Sequence, residues 1–241
     1  MSAPMQRLLP GVTDEPMPPV ERTSDRDAVP HTRPGSAAEH ELQCRFETTA
    51  RADRFYREQV LDHLNPAMRE FVERQDMAFI ATSDGAGECD ASFRAGTPGF
   101  LHVIDERTIA YPEYRGNGVM ASLGNIVENP HVGILMIDFV RELIGLHVNG
   151  TAQVVDDEAL RHRTPDLPAE QVKGRKPERW VVVAVDEAYV HCRKHIPRMM
   201  HVPHRRAWGT DDARSKGGDY FGAANSPSPW SAPPDEEADR D

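Results

Sequence analysis

The stretch RTIAYPEYRGNGVMASLGNIVENPHVGILMIDF, residues 107–139, organises the chain. A short apolar run, Thr108 to Tyr111, leads into a turn holding Arg115, Gly116, Asn117 and Gly118. A helix is expected over Val119 to Glu128, Asn129-Pro130 breaks it, and the apolar run Val132 to Phe139 reads as a strand. A Gly-rich turn with a cation at a helix N-terminus is a physical recipe for holding a phosphate. The first-turn N–H groups have no partner inside the helix, the helix dipole favours an anion, and glycine lets the backbone come close. The stretch therefore points to a phosphate-bearing ligand. The alternative is a turn that binds nothing.

Gly116 to Ala121 also fits G-x-G-x-x-A, with Asp138 at the end of the next strand where a ribose-binding acid would sit. A dinucleotide fold needs several strand–helix–strand units, and the flanking sequence does not supply them. Met77 to Ser83 reads as a buried strand, and Asp84-Gly85 turns it into Glu88 to Arg94. Phe100 to Ile104 and Thr108 to Tyr111, which Pro112 ends, form a second hairpin. Glu142 to Val155 is a long strand with Gly145 and Gly150 as bulges or close approaches, and Trp180 to Cys192 is the strongest strand signal. Residues 156–179 are read as a loop with room for a short helix. Ahead of these strands lie an amphipathic helix over 51–64 and a shorter one. The second is capped by Asn65-Pro66 and shows Met68, Phe71 and Val72 on one face. Six or so strands in hairpins with few helices make the expected class mainly β: a small six-stranded antiparallel barrel.

Seven of the twenty prolines fall in residues 1–40, and the last eleven residues carry five acids and one Arg. Residues 1–40 and 204–241 are therefore expected as disordered tails around one domain, 41–203. The formal charge is −11 over 241 residues, which excludes a broad nucleic-acid-binding face while leaving room for a local anion site. The three cysteines, Cys44, Cys89 and Cys192, are widely spaced and suggest a reducing compartment. Neither a secretory segment nor a bilayer-length apolar run is evident, so the expected location is cytoplasmic, with no membrane partner.

Among candidate site residues, Arg94 ends a strand and could meet an anionic or electron-rich ligand edge or simply sit at the surface. Ser122 and Asn125, at i and i+3 of the helix, could reach a ligand or bond the backbone. His191, Cys192, His195, His201 and His204 cluster in sequence; Cys192-x-x-His195 could ligate a metal, but no clear second pair lies upstream and Ile196-Pro197 interrupts, so no metal is expected.

Four blocks now carry a family resemblance: FIATSDGAGECDAS (79–92), RAGTPGFLHVID (94–105), YRGNGVMASLGNIVENP (114–130) and VGILMIDF (132–139). They resemble the pyridoxamine 5′-phosphate oxidase family of FMN-binding split β-barrels, as does AYVHCRKHIPR (188–198). The resemblance implies a six-stranded antiparallel split barrel that dimerises, with FMN in a groove at the dimer interface. Ser92 to Arg94 would lie along the flavin, with Arg94 near its pyrimidine edge. Arg115, Gly116, Asn117, Ser122 and Asn125 would hold the phosphate. An Arg-Lys pair of the family falls here on Ala121 and Ser122, so Arg115, the turn and the Ser122 hydroxyl would serve in its place. The family's C-terminal Arg-x-His has Lys194, His195 and Arg198 as its nearest basic counterparts. The implied activity is a flavin-dependent oxidoreductase acting on a small molecule. A deazaflavin is the second cofactor choice, and a non-catalytic flavin, deazaflavin or haem binding module is the alternative function.

Overall fold

The computed structural model describes residues 33–169, 172–204, 206–228 and 230. Two hairpins and two long strands build one antiparallel sheet. β1 (Val60–Leu61) is a two-residue addition, followed by β2 (Met77–Ser83), β3 (Cys89–Ala95), β4 (His102–Asp105) and β5 (Thr108–Tyr114). After them come β6 (His131–Asp138), β7 (Ile144–Asp156) and β8 (Pro177–His191). The order is β3-β2-β6-β7-β8-β5-β4, with β1 also on β8. Every pairing is antiparallel. This is the expected mainly-β split barrel, with eight strands rather than six. The helices are α1 (Ala37–Arg45), α2 (Thr49–Gln59), α3 (Pro66–Glu73), α4 (Ala121–Glu128) and α5 (Asp157–Arg163).

Alternation along the strands fixes the inside. On β2, Ala78, Ile80 and Thr82 are buried while Phe79 and Ala81 face out. Ile80 pairs with Ile134, Ile134 with Val148 and Val148 with Ala188, so one buried row crosses the sheet. α3 closes the base with Phe71 and Val72, its start capped by Asn65, whose side chain accepts from the Met68 N–H at 2.9 Å. Gly145 and Gly150 are close approaches as expected. A Cβ at Gly150 would strike the Ala184 carbonyl oxygen, and the β7–β8 register shifts there.

Several boundaries differ from expectation. β5 continues through Pro112 to Tyr114, because β8 runs alongside it there with Pro112 opposite Trp180, while β4 pairs only as far as Ala110. Val60 and Leu61 leave the helix for a pairing with Tyr189 and Ala188. α4 starts at Ala121 rather than Val119, since Asn117 turns the chain by accepting from the Val119 N–H and Met120 is left-handed at φ 59°. β5 and β6, which flank α4, are not sheet neighbours, so the G-x-G-x-x-A pattern does not open a dinucleotide fold.

α1 begins inside the segment read as an N-terminal tail. Ser36 and Glu39 form a reciprocal capping box, and Glu39 also accepts from Tyr56 of α2. The rest of that segment, 1–32, lies outside the described residues. Of the segment read as a C-terminal tail, 206–211 packs against the barrel, while 231–241 lies outside the described residues. Among the described residues no helix is long and apolar enough to cross a membrane.

Candidate functional site

The split in the barrel lies where β3, one end of the sheet, approaches β5 near the other end. The two strands are not hydrogen-bonded neighbours. An ion pair spans the gap instead, with Arg94 Nε donating to Glu113 at 2.8 Å. Both side chains are largely buried, at 21% and 13% exposure. Burial pushes the Glu113 carboxyl up, and the Arg94 charge and hydrogen bond pull it part of the way back. Beneath the pair lies Tyr111, fully buried, its hydroxyl without a hydrogen-bond partner and pushed up in pKa by burial and by Glu113.

Period-two alternation puts Asp90, Ser92 and Arg94 on the inward face of β3, opposite Thr82, Ile80 and Ala78. α4 covers this edge with Ser122, which is 4% exposed. The Ser122 hydroxyl donates to Asp90 at 2.9 Å and lies 3.0 Å from the Ser92 hydroxyl and 3.4 Å from Arg94 Nη2. With its one hydrogen on Asp90, Ser122 accepts from the other two. This network locks α4 to β3.

Beside it opens a cleft of about 800 Å³, walled by β3, the 113–120 turn, the start of α4 and residues 207–210, 215 and 216. The size suits a cofactor. The structure brings Ser92, Arg94, Arg115, Gly116, Asn117 and Ser122 to its lining. Gly118 has φ +86°, and a Cβ there would meet open space, so the turn is approachable. Met120 offers no side-chain cap to α4, which leaves the first-turn N–H groups without that partner.

The other expected site residues lie elsewhere. The Asn125 amide donates to Thr82 at 3.1 Å and Asn129 to Ser83 at 2.9 Å, so both fasten α4 to β2. Lys194 and His195 sit in a 3₁₀ turn after β8, and Arg198 donates to the Val140 carbonyl at 2.6 Å; none of the three lines the cleft. His191 meets His147 across β7–β8 at 3.0 Å, and no three metal-binding side chains converge among the described residues.

Sequence reasoning missed Asp90 and Glu113. Asp90 was findable, because it alternates with Ser92 and Arg94. Glu113 was hidden by the reading of Pro112 as a strand end. Also missed were Trp208, Asp211 and Lys216, which reach this region from a part of the chain with no periodic signal.

The family model described as pyridoxamine 5′-phosphate oxidase matches residues 64–192, which contain both barrel edges, α4 and the turn. The chain belongs to the pyridoxamine 5′-phosphate oxidase family. Similar solved structures include a variant of HupZ from Group A Streptococcus, 21% identical over 53% of this chain and 99% of that one, with a TM-score of 0.40. A candidate pyridoxamine 5′-phosphate oxidase from Lactobacillus delbrueckii is 18% identical over 54% and 98%, with a TM-score of 0.41. HutZ, a heme storage protein from Vibrio cholerae, is 16% identical over 53% and 93%, with a TM-score of 0.35. No curated protein matches. Ala121 and Ser122 stand at the positions where the family's Arg-Lys pair was expected, and Ser122 donates to Asp90. Arg115 and Lys216 line the cleft.

Proposed function

We propose that this protein binds FMN in the cleft and works as a flavin-dependent oxidoreductase. The observation that carries the reading is the 800 Å³ cleft, which joins a glycine turn, an uncapped helix start and Arg115 at one end to the Ser92–Arg94 wall at the other. Arg115 and the α4 N–H groups hold the phosphate. Arg94, fixed by Glu113, presents a cation beside the electron-rich ring edge. FMN, once bound, supplies the two-electron chemistry. A deazaflavin offers a phosphate to the same turn and is the second choice of cofactor.

The sheet's outer face supports a homodimer. Phe93, Phe79, Leu135, His147 and Tyr189 form one row in register across five strands, and Phe79 and Phe93 are 42% and 54% exposed. The apolar stretch of this row, Phe93, Phe79 and Leu135, suits a second copy of the chain. The three free, exposed cysteines suit a reducing cytoplasm.

A second reading, a binding module without turnover, is favoured by one observation. Asp90 is engaged by Ser122 and Glu113 by Arg94, so neither acid is poised as a free base. Titration with FMN, followed by its visible spectrum, tests the binding claim. Saturation at about one FMN per chain is expected, and a protein that ignores FMN and deazaflavin would remove the proposal. Steady-state reoxidation of bound flavin with a nicotinamide donor and an artificial acceptor then separates an enzyme from a carrier.

A further inference from the structure

The chain's own C-terminal segment lies on the cleft. Trp208 is its anchor, edge-on to Tyr114 with ring centroids 5.4 Å apart. The guanidinium groups of Arg175 and Arg206 stand 5.3 and 5.9 Å from the Trp208 ring centroid. Gly174 and Gly209 pack backbone to backbone, so closely that a Cβ on either would strike the other strand of chain. Arg206 donates to the Gly96 carbonyl at 3.2 Å. Downstream of this anchor, Asp211 places one carboxylate oxygen 2.7 Å from Arg115 and the other 3.5 Å from Lys216.

A carboxylate between a guanidinium and an ammonium occupies the position a phosphate monoester would take. Both anions offer paired oxygens to the same donors. Arg115 and Lys216 are the two lining cations that share this acid, while Arg94 answers to Glu113. We propose that Asp211 is an internal competitor for the phosphate site: the Asp211 carboxylate and a phosphate-bearing ligand bind the Arg115–Lys216 pair in mutual exclusion. Ligand entry lifts Asp211 and leaves Lys216 to join the phosphate grip, supplying a cation that α4 lacks. This rests on the reading of the cleft as a flavin-phosphate site, and the test separates the two.

The full chain is compared with Asp211→Asn, whose target is 63% exposed and outside the core. Hydrogen exchange around Asp211, over residues 208–213, is followed with and without inorganic phosphate, and FMN and riboflavin are titrated against both proteins. Phosphate should speed exchange in the wild type. Asp211→Asn should exchange fast without it, bind FMN about two- to fivefold more tightly, and leave riboflavin, which has no phosphate, unchanged. Unchanged exchange with equal FMN affinity in both proteins overturns the competition while flavin binding stands. Phosphate-driven release in a protein that ignores FMN removes the flavin reading while the competition stands.

Discussion

At the scale of single residues, the seam is where charge and burial pull against each other. Removing Arg94 leaves Glu113 buried and unpaired, so Arg94→Ala should cost about 1–3 kcal/mol near neutral pH by urea denaturation. The pH dependence has a definite sign. The folded Glu113 pKa is already raised, so the folded state holds its proton better than the unfolded one, and stability falls as pH rises through that window. Without Arg94 the rise is larger. The variant should therefore lose more at about pH 8 than at about pH 5. A loss that is flat with pH would mean Glu113 is not the group left exposed to the penalty. Below it, Tyr111→Phe deletes a hydroxyl with no partner and should raise stability by up to about 1 kcal/mol, read as a higher Tm.

At the scale of elements, α4 is held by polar pins rather than by a broad apolar face. Only Ser122 and Ile126 on it are buried. Asn125→Ala strands the Thr82 hydroxyl and should cost about 1–2 kcal/mol while loosening the wall of the cleft. FMN affinity should fall with it, although Asn125 does not line the cleft. Much at this scale was legible beforehand. Both hairpins, the Asn65-Pro66 start and the two close-approach glycines rest on local rules of alternation, capping and backbone space. The direction of Asn125 was not, because i and i+3 on a helix place a residue on a face without saying which neighbour fills it. The two-residue β1 was equally hidden, since its pairing with β8 is decided by a strand far along the chain.

At the scale of the whole molecule, the exposed Phe79–Phe93 patch predicts assembly. Phe79→Glu puts a charge in the middle of it and should convert a dimer to a monomer in sedimentation, with the fold intact because Phe79 faces outward. An unchanged sedimentation coefficient would place the interface elsewhere. The C-terminal segment was the largest surprise of this scale. Its composition is that of a solvated tail, and distant residues such as Gly174, Tyr114, Arg115, Arg175 and Gly96 give it a seat.

The strand order also has a consequence in time. β8 pairs with β1, β5 and β7, so the hub of the sheet is its last strand. During synthesis at roughly 5–20 residues per second, the finished β2–β6 strands wait about three to eleven seconds for β8 to be completed. Throughout that interval β5 has no partner but β4, and the edge of β7 that β8 will cover stands open to other nascent chains. A ribosome pausing between Asp156 and Pro177 would lengthen the interval without changing one contact of the finished barrel, so yield in the cell should depend on the pace of translation across that loop.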